Sequence, residues 1–233
     1  AKEPEIIDLA EMLNSMGAKI NGAGSNQITI DGVDKLSGTS YEIPADRIEA
    51  GTYLVAGVVT KGDITIEGIN PERLMRVIEK LKSSGAQIDL TKNSISLSMR
   101  KDIPEPVDIT TAPFPEFPTD MQAQFSVINA ISSGISNIYE TVFENRFMHV
   151  LELNRMGCDI EVSGNHAVIK GVKSLYGAQV MATDLRASAS LILAGLCADG
   201  ETIVDRIYHI DRGYERIEEK LSYLGANIVR LPS

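Results

Sequence analysis

Residues 156–160 read MGCDI, and three other stretches resemble them: MGAKI at 16–20, SGAQI at 84–88 and LGANI at 224–228. Their glycines are separated by 68, 72 and 68 residues. Each glycine follows a segment with apolar residues at helical spacing, where a helix C-terminus favours glycine because it adopts positive φ without strain. The pattern predicts four places where a helix ends at a glycine and a strand follows.

The segments between these glycines share one internal order. A second short strand follows the first, as in QITIDGV and SISLSM, which indicates a hairpin. An extended segment then enters a helix of small apolar residues through Asp46, Asp120 or Asp184, and another glycine opens a further strand before a closing amphipathic helix. The middle helices are apolar nearly all round and must be buried. We therefore predict an α/β fold built from units of about 70 residues, with internal helices and outer sheets.

The composition argues against several classes of partner. Formal net charge is -10 and the longest basic element is the pair Arg100 and Lys101, so we expect no nucleic-acid partner. No apolar run approaches the roughly 20 residues of a membrane span, and we expect a cytoplasmic protein without a membrane partner. Cys158 and Cys197 have apolar neighbours and no zinc spacing, which predicts inert core thiols and no metal site.

The three aspartates have two interpretations. Each occupies the same place in its unit, so each is expected to cap the helix that follows. A carboxylate at a helix mouth also suits a catalytic base. Asp120 alone follows the run PFPEFPT, whose prolines at 113, 115 and 118 would hold the approach to the helix rigid, as a preorganised site requires.

Three arginines also stand at helix mouths, where the helix dipole opposes a positive charge and an anionic partner is expected. One possible partner is a neighbouring acid, and the other is a substrate carboxylate or phosphate held by guanidinium forks. Spacing alone does not decide between them. The arginines are Arg146, Arg186 and Arg212, and the neighbouring acids are Glu144, Asp184 and Asp211.

Four long strings, FPTDMQAQF, ETVFENRFMH, GAQVMATDLRASASL and DRIYHIDRGYERIEEKL, closely resemble the UDP-N-acetylglucosamine 1-carboxyvinyltransferases, enolpyruvyl transferases of peptidoglycan synthesis. The resemblance runs through essentially the whole chain. It implies an inside-out α/β barrel domain of the enolpyruvyl transferase type. It also implies transfer of the enolpyruvyl group of phosphoenolpyruvate to the 3'-hydroxyl of UDP-N-acetylglucosamine, with release of phosphate and without a metal or other cofactor.

The resemblance also assigns roles to residues. Asp120 corresponds to the proposed base that contacts the 3'-hydroxyl, and Arg212 to an arginine that holds phosphoenolpyruvate. The remaining expected substrate-binding residues are the sugar-nucleotide contacts Thr119, Val142 and Phe143 and the cleft residues Arg146, Asp184 and Arg186.

The same resemblance predicts a division of the chain. Residues 1 to 44 are expected to belong to the other domain of a two-domain enzyme, and residues 45 to 233 to form the domain described above. The family's catalytic loop and most uridine contacts are expected in an upstream half, so this chain alone is expected to be inactive. The alternative is a truncated paralogue, without enzymatic activity, that binds a sugar nucleotide or a protein.

Overall fold

The computed structural model describes residues 1–231 of the chain. Within that range the α-helices are α1 (Pro4–Ser15), α2 (Arg47–Val59), α3 (Met75–Ser83), α4 (Gln122–Ala130), α5 (His149–Arg155), α6 (Leu185–Cys197) and α7 (Ile217–Tyr223). Short 3-10 helices span Pro71–Leu74, Thr119–Met121 and Ile207–Arg212. None of the helices in this range is both long and apolar enough to cross a bilayer.

The strands of the same range are short. They are β1 (Lys19–Asn21), β2 (Thr29–Asp31), β3 (Asp63–Glu67), β4 (Gln87–Leu90), β5 (Ser94–Ser98), β6 (Ile109–Thr110), β7 (Ile135–Tyr139), β8 (Asp159–Ser163), β9 (His166–Lys170), β10 (Leu175–Tyr176), β11 (Gln179–Met181), β12 (Ala198–Asp199) and β13 (Ile203–Asp205).

Helices α2, α4 and α6 form the centre of the molecule and pack against one another. Every residue of α4 is buried, as are all residues of α2 except Glu49. The apolar side chains of these helices gain free energy when other elements surround them, because each leaves water. Helix α4 is less apolar than predicted, since it also buries Gln122, Gln124, Ser126 and Asn129. The prediction of internal helices is therefore confirmed.

Two sheets lie outside these helices and repeat one topology. In the first, β5 pairs antiparallel with both β3 and β4, and in the second, β9 pairs antiparallel with both β7 and β8. Thus the strand that follows one central helix joins the hairpin of the next unit. Alternate residues such as Ile95 and Leu97 of β5 are buried against the helices, as expected for a sheet that has one face on the core and one face exposed to solvent.

The four repeated glycines end helices as predicted. Gly17, Gly85, Gly157 and Gly225 have φ angles of 103°, 104°, 93° and 100°. The first three are followed by hairpins, but the strand predicted after Gly225 is wrong, because residues 226–231 form none. A strand needs a neighbour for its backbone hydrogen bonds. In its place, Arg230 holds this segment through Asp211 and Glu218.

Residues 1 to 44 contribute little to the core. Only Pro4 and Ala10 in this range are buried. Helix α1 contacts the rest of the chain through ion pairs, since Glu5 binds Arg47 at 2.8 Å and Asp8 binds Arg73 at 2.6 Å. The hairpin β1–β2 has no third strand among the described residues, whereas hairpins β4–β5 and β8–β9 each have one.

Candidate active site

Asp120 does not cap a helix, so that part of the capping prediction is wrong. The chain makes a 3-10 turn at Thr119–Met121 before α4 begins, and Pro118 occupies the N-cap position without a side-chain bond. The Asp120 carboxylate is thereby turned away from the backbone N–H groups of α4. By contrast, Asp46 and Asp184 confirm the prediction, since each accepts two backbone N–H groups at the start of α2 and α6.

Asp120 instead lies between two arginines. Arg146, in the loop after β7, donates to Asp120 Oδ1 at 2.7 Å, and Arg186 Nε from the first turn of α6 lies 3.4 Å from the same oxygen. The two arginine side chains are only 18% and 13% exposed, whereas Asp120 is 37% exposed. Asp120 is thus the member of the cluster that an incoming ligand reaches most easily.

The electrostatics of the cluster keep Asp120 ionised. Partial burial alone would raise the pKa of its carboxyl group, but Arg186 and Arg146 outweigh that effect and hold the pKa below its usual range. An ionised carboxylate with free lone pairs accepts hydrogen bonds. Asp120 is therefore able to accept a hydrogen bond from a hydroxyl group and orient it.

The acids that neighbour these arginines in the sequence are not their partners. Within residues 1–231, Arg146 and Arg186 form their ion pairs with Asp120, and not with Glu144, Asp184 or Asp211. The partner is 26 residues from Arg146 and 66 residues from Arg186 in sequence. The contact depends on how α4, β7 and α6 pack, which local spacing does not reveal.

Tyr214, which sequence analysis did not single out for the site, supports Arg186. Its buried hydroxyl accepts from Arg186 Nη1 at 3.3 Å and from Gln124 Nε2 at 3.4 Å, and lies 2.9 Å from Thr52 Oγ1. Thr52 in turn donates to the carbonyl of Ile48. The Tyr214 hydrogen is therefore directed at Thr52, which leaves its lone pairs for the two donors. A polar network among α2, α4 and α6 thus holds Arg186 in place.

The loop after β7 brings further predicted residues to the same place. Arg146 also donates to Thr119 Oγ1 at 2.9 Å, and its guanidinium lies 5.1 Å from the centre of the Phe143 ring. Val142 and Phe143 are 45% and 58% exposed. Their backbone N–H groups are held by Glu140, a buried carboxylate that sequence analysis did not single out.

Arg212 stands apart from the Asp120 cluster. It ends the 3-10 helix Ile207–Arg212, its side chain is exposed, and it forms no ion pair with any residue among 1–231. The adjacent Asp211 is engaged by Arg230 at 2.7 Å, and hydrogen bonds from Arg230 lower its pKa. Arg212 is thus available to an external anion. Asp184 also lies outside the hydrogen bonds of the Asp120 cluster in the described part of the chain, since its carboxylate caps α6.

Left-handed backbone lies on either side of Arg212. Arg206 and Arg216 have φ of 59° and 47°, a conformation that costs free energy for arginine and persists only where the surroundings enforce it. The Arg212 segment is therefore held in a defined conformation, whereas the φ of 61° at Asn145, next to Arg146, is one that asparagine adopts readily.

The cysteines and one surface groove lie outside this cluster. Burial raises the pKa of both Cys158 and Cys197 to about 12, so both thiols are protonated at neutral pH, as predicted for inert core cysteines. An open groove of about 360 Å³ borders the loop 114–118, and its lining includes Arg47 and Arg73 but not Asp120. No three potential metal ligands cluster anywhere in residues 1–231.

The sequence is similar to curated proteins of one kind. It is 60% identical over 230 residues to a UDP-N-acetylglucosamine 1-carboxyvinyltransferase of Hydrogenovibrio crunogenus, an alignment that covers 99% of this chain and 55% of the relative. It is also 60% identical over 233 residues to the protein of that name from Coxiella burnetii, with 100% and 54% covered. The chain spans about half the length of these curated relatives.

Solved structures agree on the fold. The enolpyruvyl transferase NikO from Streptomyces tendae superposes with a TM-score of 0.86 at 28% identity, over 97% of this chain and 54% of that one. An EPSP synthase from Acinetobacter baumannii, at 20% identity and a TM-score of 0.71, covers 96% and 55% and shares the fold. The predicted enolpyruvyl-transferase-type fold is therefore confirmed. Since a family model matches residues 1–221, the chain belongs to the EPSP synthase (3-phosphoshikimate 1-carboxyvinyltransferase) family.

Proposed function

We propose that this chain carries the hydroxyl-activating half of an enzyme that transfers the enolpyruvyl group of phosphoenolpyruvate to the 3'-hydroxyl of UDP-N-acetylglucosamine, with release of phosphate. The observation that carries the proposal is the position of Asp120, which is ionised, partly exposed and held by two arginines rather than by a helix end. The 60% identity to UDP-N-acetylglucosamine 1-carboxyvinyltransferases favours this acceptor within the family.

Asp120 is the proposed base or hydroxyl-orienting acceptor. A bond forms between the sugar oxygen and the enolpyruvyl carbon that carries the phosphate, the bond from that carbon to the phosphate oxygen breaks, and the hydroxyl proton passes to Asp120. Arg146 donates to one oxygen of the carboxylate, Oδ1, and Arg186 Nε lies 3.4 Å from the same oxygen, which leaves the other oxygen for the substrate. Positioning of this kind is a recognised requirement of general base catalysis.

Arg212 is the proposed ligand for the carboxylate or phosphate of phosphoenolpyruvate. Its side chain is exposed and has no acid partner among the described residues. Because the net charge of -10 repels anions in general, a local guanidinium fork is needed to bind a compact polyanion. The released phosphate carries the same kind of charge and would leave from the same place.

The other expected substrate contacts fit this arrangement. Val142 and Phe143 present exposed apolar side chains beside Arg146, which suits them to pack on a sugar nucleotide. Arg186 lies beside the Asp120 carboxylate, and Thr119 shares the Arg146 guanidinium with it. Asp184 caps α6, so its proposed contribution to binding is to hold the helix turn that carries Arg186.

Residues 1 to 44 are proposed to pack on a second domain, and residues 45 to 233 to form one domain, of which the structure describes residues 45–231. In the two later units a strand that follows a central helix completes the sheet of the next hairpin, and hairpin β1–β2 has no such strand within residues 1–231. All three residues of β2 are exposed, and Ile30 is 67% exposed. The proposed second domain supplies the missing strand, the opposite wall of the cleft and the uridine contacts, in a cytoplasmic enzyme.

Phosphate release from phosphoenolpyruvate tests the acceptor. The chain is joined to the sequence that completes the length of its relatives, and UDP-N-acetylglucosamine is compared with shikimate 3-phosphate. We expect phosphate release when UDP-N-acetylglucosamine is the acceptor and none when shikimate 3-phosphate is the acceptor. Release with shikimate 3-phosphate alone would reassign the acceptor, and sugar-nucleotide binding without turnover would favour the non-enzymatic alternative.

A further inference from the structure

Glu140 is a buried carboxylate that joins three segments around the candidate site. Its side chain accepts from the hydroxyl of Thr111 at 2.7 Å and from that of Thr119 at 2.8 Å. It also accepts the backbone N–H groups of Val142 at 2.9 Å and Phe143 at 3.0 Å. The residue is 3% exposed. It therefore ties the end of β6, the turn before α4 and the loop after β7 to one point.

The two oxygens of Glu140 divide these contacts unequally. Oε1 accepts from Thr111 and from the two backbone N–H groups, whereas Oε2 accepts only from Thr119. A carboxylate has no proton to give, so the single hydrogen of the Thr119 hydroxyl must point at Oε2. Glu140 thus determines the direction of the Thr119 hydroxyl group.

The direction of the Thr119 hydroxyl hydrogen leaves a lone pair of Thr119 Oγ1 facing Arg146. Arg146 Nη1 lies 2.9 Å from Thr119 Oγ1, and a guanidinium only donates, so the Thr119 oxygen must present a lone pair. The same guanidinium donates from Nη2 to Asp120 Oδ1 at 2.7 Å. A series of hydrogen bonds therefore links Asp120 to Glu140, in which Arg146 donates to both Asp120 and Thr119, and Thr119 donates to Glu140.

We propose that Glu140 is a positioning residue of the reaction, which acts through Thr119 and Arg146 to hold the Asp120 carboxylate in its reactive orientation. The inference rests on the proposed function. Glu140 itself touches no reacting atom. Its effect belongs in the chemical step, because a misplaced base slows proton transfer more than it weakens ground-state binding.

The substitution E140Q isolates this relay. The amide oxygen is able to keep the three donors that bind Oε1, so the loop retains its anchor. The amide nitrogen then faces Thr119 and donates to it, so the Thr119 hydrogen has lost its acceptor. The substitution also removes the negative charge at the end of the series. T119V breaks the same series at the next link. E152Q is the matched control, since Glu152 is a half-buried carboxylate that accepts the backbone N–H of Met181.

In the full-length protein, we expect E140Q to lower kcat by about 10-fold with KM for both substrates changed by less than about threefold. T119V should cause a similar loss, and the double variant should be no slower than T119V alone, because both changes break one series. E152Q should keep wild-type kcat. A normal kcat in E140Q, or kcat losses that multiply in the double variant, would overturn the inference.

A second measurement does not depend on activity. The NMR signals of the Arg146 NηH groups, which make the hydrogen bonds to Thr119 and Asp120, should be resolved and slow to exchange in the wild type and broadened in E140Q but not in E152Q. If the wild type shows no enolpyruvyl transfer, the proposed function fails while these signals still decide whether the relay exists. Unchanged Arg146 signals in E140Q would overturn the relay itself.

Discussion

Replacing Asp120 by alanine in the full-length protein should slow turnover greatly while changing stability little. As the proposed base, Asp120 should contribute at least about 100-fold to kcat, which corresponds to about 2.7 kcal/mol of transition-state free energy. Its removal frees no helix N–H groups, because Asp120 caps none. The carboxylate is 37% exposed and solvent screens its ion pairs, so their loss should cost no more than about 1 kcal/mol of folding free energy.

Asp46→Ala is the control because Asp46 has the role that Asp120 lacks. It accepts the backbone N–H groups of Ile48 at 2.7 Å and Glu49 at 3.2 Å. Loss of such a cap costs about 1 kcal/mol, or about 2 to 4 °C in melting temperature for a domain of this size. Asp46→Ala should therefore lower Tm to a similar extent or more and leave kcat unchanged.

Both variants are assayed by steady-state phosphate release at saturating substrates, with Tm measured by circular dichroism on the same samples. Asp120→Asn is added as a variant of nearly the same shape, and it should be as slow as Asp120→Ala. The reasoning fails if Asp120→Ala keeps its kcat, or if Asp46→Ala loses as much kcat as Asp120→Ala.

Three further outcomes are expected. Arg212→Lys in the full-length protein keeps the positive charge but loses the two-pronged guanidinium donor. It should raise KM for phosphoenolpyruvate about 10-fold or more and leave UDP-N-acetylglucosamine binding near normal. A lower Tm with unchanged KM would contradict the assignment. Burial lowers the pKa of His149 to about 4 in the folded chain, whereas an unfolded histidine has a pKa of about 6.5. Between these values the unfolded chain binds a proton that the folded chain does not, so the free energy of unfolding should fall as pH drops from about 6.5 towards 4. His149→Gln should flatten that slope in urea titrations, and an identical slope would count against it. In the isolated chain, residues 1 to 44 should exchange amide hydrogens fastest, whereas uniform protection would argue against the proposed domain division.

The scaffold was accessible from the sequence because local chemistry determines it. A glycine such as Gly157 ends a helix for a reason confined to a few residues, and the apolar character of α2 is evident from its own composition. The strand predicted after Gly225 failed because a strand also depends on a distant partner, which the glycine pattern does not report.

The candidate site was predictable only in part for the same reason. Asp46, Asp120 and Asp184 look equivalent in the repeat, yet a 3-10 turn before α4 separates Asp120 from the other two. The pairing of Asp120 with Arg186 depends on the packing of α4 against α6. The role of Glu140 could not be predicted from the sequence, because its four hydrogen-bond donors come from three separate segments of the chain.

The most direct test of the account is turnover of phosphoenolpyruvate and UDP-N-acetylglucosamine by this chain alone and after the remaining length of its relatives is supplied as a second polypeptide. The account predicts a folded chain with no measurable phosphate release by itself, release when both halves are present, and loss of that release when the chain carries Asp120→Ala. Comparable turnover by the chain alone, or undiminished turnover with Asp120→Ala, would contradict it.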